Sequence, residues 1–263
     1  MKTAFIGAGA MGGAMINCLL TKKVAGVQDI VASDSSPTRR ESLSKEYGIA
    51  TFGDNAKAIA DADLIVLAVK PQNLPQVMQD IKSPGAKQLV ISIVAGARLS
   101  SLRQGLDHSL IVRAMPNMPA QIGEGIVVWT ATTETGQKQR SLAQAVLGSL
   151  GKEVYVGDEK YLSMATALSG SGPGYVFLFI EALIDAGVHI GMPRDLAQKL
   201  VMQTVLGSAL TIEKTGKHPA ELRNTVTSPG GTTTEGLSQL EKGGLRSAIL
   251  EAVAAAHRKA ESF

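Results

Sequence analysis

The chain has 263 residues, and its 26 lysines and arginines nearly balance its 23 aspartates and glutamates, for a net charge of +3 with neutral histidines. With 44% hydrophobic and 19% charged residues, the composition is that of a folded protein and excludes a disordered chain or a fibrous repeat. The small positive excess is scattered along the chain, so we predict no nucleic-acid partner.

The single cysteine, Cys18, excludes an internal disulfide and any multi-cysteine metal site, and we expect it to be a small buried residue. None of the four histidines is spaced from another histidine or a carboxylate as in known metal sites, so we predict no bound metal. A lone thiol fits a reducing compartment, and we expect a cytoplasmic protein.

Two uncharged stretches, residues 3–21 and 161–180, have about the length of membrane-directed segments. The first contains several glycines and Asn17, and it is better explained as a strand, a turn and a helix. The second is interrupted by serines, glycines and Pro173, which a membrane span of about 20 apolar residues rarely carries. We therefore expect no membrane anchor.

The first half of the chain alternates short β-rich runs with helical patterns, which predicts parallel βαβ units. A helical pattern from Ala10 to about Thr21 follows the first run. We predict a Rossmann-like, doubly wound and mainly parallel sheet over residues 1–157. Its predicted strands are Thr3–Ile6, Asp29–Ala32, Leu64–Val69, Leu89–Ile93, Leu110–Met115, Gly125–Ala131 and Glu153–Val156.

After Gly157 the β-rich runs stop, and the pattern predicts an all-α domain over residues 158–263. Its predicted helices cover about 159–189, 193–215, 219–226 and 234–262. Few charges interrupt the apolar faces between residues 161 and 212, which favours burial against another subunit. An interface within the chain would cover part of the same surface.

The run Gly7-Ala8-Gly9-Ala10-Met11-Gly12 matches the dinucleotide-binding pattern G-x-G-x-x-G, directly after the first predicted strand and at the start of a helix. In this pattern the first glycine permits a tight turn and the second lets the backbone approach a pyrophosphate. The third lets helix and strand pack closely, and the helix N-terminus supplies N–H donors. We therefore predict that this run binds a nicotinamide cofactor.

The end of the second strand distinguishes the two nicotinamide cofactors, because a carboxylate there binds a ribose 2′-hydroxyl while a hydroxyl with an arginine accepts a 2′-phosphate. The sequence has both kinds of residue, with Ser33 and Asp34 followed by Arg39 and Arg40. We predict NADPH as the preferred cofactor and NADH as a second one, with Ser33 and Arg39 on the phosphate and Asp34 facing away. The alternative is that these charges are simply solvated. Asn55 is expected on the adenosine side.

Two further segments follow predicted strands, at the sheet edge where doubly wound folds bind ligands. They are Ala68-Val69-Lys70-Pro71-Gln72 and Ser92-Ile93-Val94-Ala95-Gly96. We expect Ala68 to Gln72, Ala95 and Gly96 to border the cofactor.

The most unusual segment of the second half runs from Pro219 to Leu237. It contains Ser228-Pro229-Gly230-Gly231-Thr232-Thr233-Thr234, at the start of a predicted helix. Two glycines followed by three threonines offer backbone N–H groups and hydroxyls together, which suits a small carboxylate. The alternative is a helix N-cap, for which one threonine would be enough.

The run from Pro219 through Glu241 resembles the signature of the pyrroline-5-carboxylate reductase family, and the resemblance extends over essentially the whole chain. It includes the Gly7 to Gly12 turn, Ala68 to Gln72, Met115-Pro116-Asn117-Met118-Pro119-Ala120 and Leu168-Ser169-Gly170-Ser171-Gly172-Pro173. Most members have threonine where this chain has Met118, and tyrosine often follows an alanine where this chain has Gly174-Tyr175. Neither difference falls on a residue that we assign to hydride transfer.

The resemblance implies the last step of proline synthesis, in which a reduced nicotinamide gives hydride to C5 of 1-pyrroline-5-carboxylate. It further implies that Ser228, Gly230, Gly231, Thr232 and Thr233 surround the substrate. The amides of Gly231 to Thr233 and the Thr232 hydroxyl would hold its carboxylate. Thr233 would hydrogen-bond the ring nitrogen and help manage its proton. Members form intertwined homodimers through the helical domain, often five in a ring, with sites built from both subunits.

Two other functions fit part of the pattern. The β-hydroxyacid dehydrogenases share the architecture but use a lysine on the long interdomain helix, and this chain has none between Tyr161 and Gln198. A cofactor-sensing regulator would bind the dinucleotide without turnover. We assign no general acid, because Lys70, Glu159 and Glu221 are expected to be solvated side chains.

Overall fold

The computed structural model describes residues 1–262 and divides by internal contacts into two units. The first unit contains residues 1–171 and the end of the last helix, residues 256–262, and the second contains residues 172–255.

The first unit is built on one eight-stranded sheet with strand order β3-β2-β1-β4-β5-β6-β7-β8. All neighbouring strands are parallel except β6 and β7, so the prediction of a doubly wound, mainly parallel sheet is confirmed. The strands are β1 Thr3–Ile6, β2 Ile30–Ser33, β3 Ala50–Phe52, β4 Leu64–Leu67, β5 Leu89–Ser92, β6 Ile111–Met115, β7 Gly125–Ala131 and β8 Gly151–Tyr155.

Strand β3 is absent from the sequence prediction because three residues at a sheet edge are too few to show a period-two pattern. The one antiparallel pair follows from the connection between β6 and β7, which holds only a short 3₁₀ turn, Met118–Ile122. A parallel crossover needs a dozen or more residues, more than this connection contains. The connection between β7 and β8 contains a helix, Gln137–Gly148, and that pair is parallel.

Helices cover both faces of the sheet. On β1, Phe5 belongs to one buried apolar cluster while Ala4 and Ile6 belong to the other, because successive side chains of a strand point to opposite faces. The helices of this unit are α1 Ala10–Thr21, α2 Pro37–Tyr47, α3 Asn55–Ile59, α4 Leu74–Asp80, α5 Leu99–Leu106, α6 Gln137–Gly148 and α7 Lys160–Ala165.

The second unit is helical, as predicted, although two of the predicted helices are wrong in extent. The predicted helix 159–189 is α7, a π-helical turn Thr166–Gly170 and then α8. The predicted helix 234–262 is two helices, because Gly243 and Gly244 interrupt it and Gly244 has φ +72°. The helices are α8 Gly172–His189, α9 Arg194–Thr215, α10 Pro219–Thr225, α11 Thr232–Lys242 and α12 Leu245–Glu261.

Helices α8 and α9 pack on each other where Gly187 leaves room for Ala197, and their other faces expose large apolar side chains such as Leu178, at 66%, and Leu206, at 54%. Among the described residues, the stretch Lys160–His189 is long and apolar enough to cross a membrane by length and composition. Core helices of soluble proteins share this length and composition. Exposed apolar side chains along two neighbouring helices are typical of a protein interface.

Replacing Leu64 by alanine tests the position of the core. Leu64 is fully buried on β4, so Leu64→Ala should lower the free energy of unfolding by about 2–5 kcal/mol in urea denaturation. Ile122→Ala is the matched control, because Ile122 is 79% exposed in the same unit and should change that free energy by less than about 0.5 kcal/mol. Equal losses in the two variants would contradict the central place of β4.

Candidate active site

The glycine-rich turn between β1 and α1 packs closely against the end of β4. Gly7 has φ +83°, and a Cβ atom there would lie 2.6 Å from Val69 Cγ1 and 2.9 Å from the Ala68 carbonyl oxygen. A Cβ on Gly12 would lie 2.7 Å from the Gly7 carbonyl oxygen. These two glycines are therefore required by the packing of the turn itself.

Gly9 differs from its two neighbours in the pattern, because a Cβ there would meet no atom within 4 Å. It caps α1 without a side-chain hydrogen bond, and the first amide bonded back to it is that of Gly13, at 2.8 Å from the Gly9 carbonyl oxygen. The amides of Ala10, Met11 and Gly12 therefore begin the helix without a helical acceptor. Open space beside a glycine and free amides at a helix N-terminus fit a dinucleotide pyrophosphate.

A cleft of about 610 Å³ lies at the carboxyl ends of β1, β2 and β4. The residues that sequence analysis assigned to the cofactor and that line it are Gly7, Gly9, Ser33, Asn55, Ala68, Val69, Lys70 and Gln72. The lining does not include Ala10, Met11, Gly12, Arg39, Pro71, Ala95 or Gly96. Ala95 and Gly96 follow β5, the next strand of the sheet after β4.

Helix α4 and its N-cap residue supply lining residues that the sequence did not predict, namely Asn73 at the N-cap and Gln76, Val77 and Asp80 in the helix. Gln76 and Asp80 are four residues apart on one helix face, and their side chains share a hydrogen bond of 2.8 Å. Polar residues at that spacing after the Ala68 to Gln72 segment are the signal that would have found them.

Asp34 was predicted to face away from the site, and the structure contradicts this. Its carboxylate accepts the amide of Ala8, in the glycine-rich turn, at 3.1 Å and the amide of Ser36 at 2.9 Å. The carboxylate is held at the turn because it satisfies backbone donors that have no helical or strand partner. Asp34 therefore lines the cleft together with Ser33.

The two arginines after β2 contact backbone carbonyls around the same turn. Arg39 Nε donates to the Ala8 carbonyl oxygen at 2.5 Å, and Arg40 Nη1 donates to the Asp34 carbonyl oxygen at 2.7 Å. Ser33, only 1% exposed, donates its hydroxyl to Asn55 Oδ1 at 2.7 Å. Two cations, one carboxylate and one hydroxyl thus surround the end of β2.

Glu159 was expected to be a solvated side chain, but it forms a half-buried ion pair. Its Oε1 accepts Arg113 Nη1 at 2.7 Å and the Leu99 amide, the first of α5, at 2.8 Å. The Arg113 side chain is 9% exposed, so its charge needs this partner inside the protein. Glu221, on an exposed face, pairs with Lys217 at 2.9 Å, so both glutamates are held by cations.

The predicted substrate segment forms the N-terminus of α11. Gly230 has φ +66° and Gly231 is the N-cap, with no side-chain capping bond. The Thr234 hydroxyl donates to the Ser228 carbonyl oxygen at 2.7 Å, and the Gly231 amide donates to the same oxygen at 3.0 Å. The alternative of a threonine N-cap is therefore not realised.

This arrangement leaves polar groups open at the start of α11. Within residues 1–262, the hydroxyls of Thr232 and Thr233 have no hydrogen-bond partner, and the first amides of the helix have no helical acceptor. A helix N-terminus with free amides and hydroxyls favours a carboxylate ligand.

Cys18 is buried, as predicted, and its thiol donates to the Ala120 carbonyl oxygen at 3.3 Å. Burial raises the pKa of this thiol, so it is protonated and unreactive at neutral pH. In the part of the chain that the structure describes, no three His, Cys, Asp or Glu side chains are grouped as metal ligands would be.

The chain is similar to pyrroline-5-carboxylate reductases along its whole length. The family described as "Pyrroline-5-carboxylate reductase dimerisation" matches residues 159–263, and the family "NADP oxidoreductase coenzyme F420-dependent" matches residues 2–96. The Synechocystis pyrroline-5-carboxylate reductase is 41% identical over 100% of this chain and 98% of its own length. The Methanosarcina acetivorans protein of that name is 37% identical over 100% and 97%.

Solved structures agree in fold. The Plasmodium falciparum pyrroline carboxylate reductase with NADP bound is 32% identical, with a TM-score of 0.91 over 100% of this chain and 97% of that one. The Coxiella burnetii pyrroline-5-carboxylate reductase is 33% identical, with a TM-score of 0.92 over 99% and 97%. A prephenate dehydrogenase from A. aeolicus, 14% identical with a TM-score of 0.57, shares the fold alone.

The different roles of Gly9 and Gly12 give a test of the cofactor site. Gly9→Ala should keep the unfolding midpoint of the unaltered protein but weaken NADPH binding by about tenfold or more, since a tenfold loss needs only about 1.4 kcal/mol of lost contact. Gly12→Ala should also lower the free energy of unfolding, by about 1–3 kcal/mol, because its Cβ would crowd the Gly7 carbonyl oxygen. Fluorescence titration and urea denaturation measure the two effects. Unchanged binding in Gly9→Ala would reject the pyrophosphate site.

Proposed function

The chain belongs to the pyrroline-5-carboxylate reductase family, and we propose that its two halves divide one reduction between them. The reaction turns the cyclic imine 1-pyrroline-5-carboxylate into L-proline, the last step of proline biosynthesis. In our proposal residues 1–157 bind the nicotinamide cofactor and residues 158–263 bind the substrate and form the dimer. The dimerisation family's match from residue 159 supports this boundary.

The observation that carries the site assignment is the open N-terminus of α11. Thr234 fastens the loop through Ser228, whereas the neighbouring hydroxyls of Thr232 and Thr233 have no partner within residues 1–262. We assign the backbone amides of Gly231 to Thr233 and the Thr232 hydroxyl to the substrate carboxylate. Ser228 and Gly230 shape the loop around it.

The chemistry requires positioning more than activation. When bound, a reduced nicotinamide supplies the hydride that adds to C5, while the C=N π electrons become the nitrogen lone pair or its N–H bond. A protonated imine is already electrophilic, so no metal is needed. The Thr233 hydroxyl hydrogen-bonds the ring nitrogen and fixes its orientation. Glu159 and Glu221 are held by cations, so the nitrogen's proton is assigned to water rather than to either of them.

We propose NADPH as the preferred cofactor and NADH as a second one. Ser33 lines the cleft, and Arg39 and Arg40 place two positive charges at the end of β2, where the 2′ substituent of the adenosine ribose lies in this fold. The family description for residues 2–96 names NADP, and the Plasmodium falciparum enzyme is described with NADP bound. The Asp34 carboxylate, also at the end of β2, can accept a hydrogen bond from the ribose 2′-hydroxyl of NADH, so NADH can bind as well.

The assembly that we propose is a homodimer formed through the second unit, and by resemblance a ring of five such dimers. The exposed apolar side chains of α8 and α9 supply the surface for it. Light scattering after gel filtration distinguishes two subunits from ten. We place the enzyme in the cytoplasm, where its one thiol stays reduced.

The reductase and a cofactor sensor differ in turnover. The expected result is rapid loss of reduced-cofactor absorbance when pyrroline-5-carboxylate is added to the enzyme with NADPH, and slower loss with NADH. Folded protein that binds cofactor but turns over no imine would favour the sensor. The β-hydroxyacid dehydrogenase mechanism is disfavoured, because no lysine lies between Tyr161 and Gln198.

Thr233 is tested by removing its hydroxyl. Thr233→Ala should lower kcat about tenfold or more, the equivalent of one hydrogen bond lost in the transition state, with the Kd of NADPH unchanged. Thr233→Ser keeps the hydroxyl and should recover most of the rate. Full turnover in Thr233→Ala would contradict a role of the Thr233 hydroxyl in the reaction.

Arg39 is tested by comparing the two cofactors. Arg39→Ala should raise the KM of NADPH about tenfold, since it removes a charged partner of a phosphate, and should change that of NADH much less. Steady-state kinetics with each cofactor measure this. An equal or larger loss with NADH would contradict the assignment of Arg39 to the 2′-phosphate.

A further inference from the structure

The cofactor cleft contains a chain of hydrogen-bonded side chains that the reaction described above does not explain. The Ser33 hydroxyl lies 2.7 Å from Asn55 Oδ1, and Asn55 Nδ2 lies 2.9 Å from Asp80 Oδ2. Gln76 Nε2 donates to the other Asp80 oxygen at 2.8 Å. All four residues line the cleft with Gly7 and Gly9.

Asp80 determines the direction of each hydrogen bond in the series from Ser33 through Asn55 to Asp80. An ionised carboxylate only accepts, so the amide nitrogen of Asn55 must face Asp80 and its amide oxygen must face Ser33. Ser33 therefore donates its single hydroxyl proton to Asn55. The Ser33 oxygen, at the lining of the cleft, keeps lone pairs that can accept a hydrogen bond from a ligand, but its proton is already donated to Asn55.

This state of Ser33 matters because the residue ends β2. In this fold the 2′ substituent of the adenosine ribose, by which NADH and NADPH differ, binds at the end of that strand. The 2′-hydroxyl of NADH has a proton to donate to Ser33, whereas the 2′-phosphate of NADPH carries acceptors and needs a donor. The arrangement therefore suits the unphosphorylated ribose, and a phosphate has to compete for the proton that Asn55 holds.

The charge of Asp80 acts in the same direction. Asp80 is the last residue of α4, where the negative end of the helix dipole disfavours a carboxylate, so helix stability does not explain it. Its hydrogen-bond partners are the side-chain amides of Asn55 and Gln76 rather than cations. The carboxylate adds negative charge to a cleft whose other charged lining residues are Asp34 and Lys70.

We propose that Asp80 is a positioning residue for cofactor selectivity, which orients Asn55 so that Ser33 accepts from a ribose 2′-hydroxyl and thereby limits the preference for NADPH. This inference rests on the nicotinamide site of the proposed function. It explains why Arg39 and Arg40 occur beside carboxylates at the same end of the sheet: the cations favour the phosphate, and the chain from Asp80 keeps NADH usable.

The test is the isosteric variant Asp80→Asn, with the Kd of NADPH and NADH measured by fluorescence titration in the absence of imine. The amide at position 80 can donate as well as accept, so Asn55 is released and Ser33 regains a proton for the phosphate. The ratio of the NADH Kd to the NADPH Kd should rise about fivefold or more, on the scale of one hydrogen bond to a charged group. In turnover the change should appear in KM and not in kcat.

Two comparisons separate positioning from a general charge effect. Asp61→Asn removes the same charge from an exposed residue before β4, at the opposite end of the strands, and should leave the ratio unchanged. In a Ser33→Ala background, Asp80→Asn should shift the ratio much less, because the hydroxyl that transmits the effect is gone.

An unchanged ratio in Asp80→Asn, an equal shift in Asp61→Asn, or a full shift without the Ser33 hydroxyl would each overturn the inference. Because binding is measured without imine, the result is separate from that of the turnover assay. Protein that binds both cofactors but reduces no imine would reject the reductase proposal while still reporting on Asp80.

Discussion

The close approach of the glycine-rich turn to the end of β4 is the constraint on which the rest of the cofactor site depends. Gly7 and Gly12 have no room for a Cβ beside Val69, Ala68 and their own turn. Because the turn is this tight, α1 begins directly after β1, and its first amides have no helical acceptor. The carboxylate of Asp34, the residue after β2, accepts the amide of Ala8 in the turn, so the turn and the end of β2 are held together.

Both candidate sites use the same local device. Helices α1 and α11 each begin after a glycine N-cap, Gly9 and Gly231, that offers no side chain to the first amides. Serine, threonine, aspartate or asparagine at these positions would stabilise an isolated helix by about 0.5–2 kcal/mol, yet would occupy the donors that a pyrophosphate or a carboxylate needs. Neighbouring groups stabilise the two loops instead, Asp34 in the first and Thr234 in the second.

The two units differ in where their apolar side chains go. In the first unit, both faces of the sheet are covered by its own helices, and residues such as Phe5 and Leu64 are fully buried. In the second unit, α8 has no buried residue within the chain, although it is the most apolar of the long helices. A helix with that composition is stable in water only when another surface covers it. This agrees with the match of residues 159–263 to a dimerisation family.

The sequence by itself determined the architecture and predicted both candidate sites, because each depends on short-range patterns. Alternating β-rich and helical runs predicted the sheet, and G-x-G-x-x-G and the Gly230 to Thr234 segment are contiguous in the chain. Only the tertiary structure decided the features that require residues far apart in the sequence to come into contact. The antiparallel β7, the Arg113–Glu159 pair and the Asp34 carboxylate on Ala8 each join segments whose contact no local pattern encodes. The chain from Ser33 through Asn55 to Asp80 does the same, since it needs the ends of β2, α3 and α4 in one place, and the direction of its hydrogen bonds follows only from that contact.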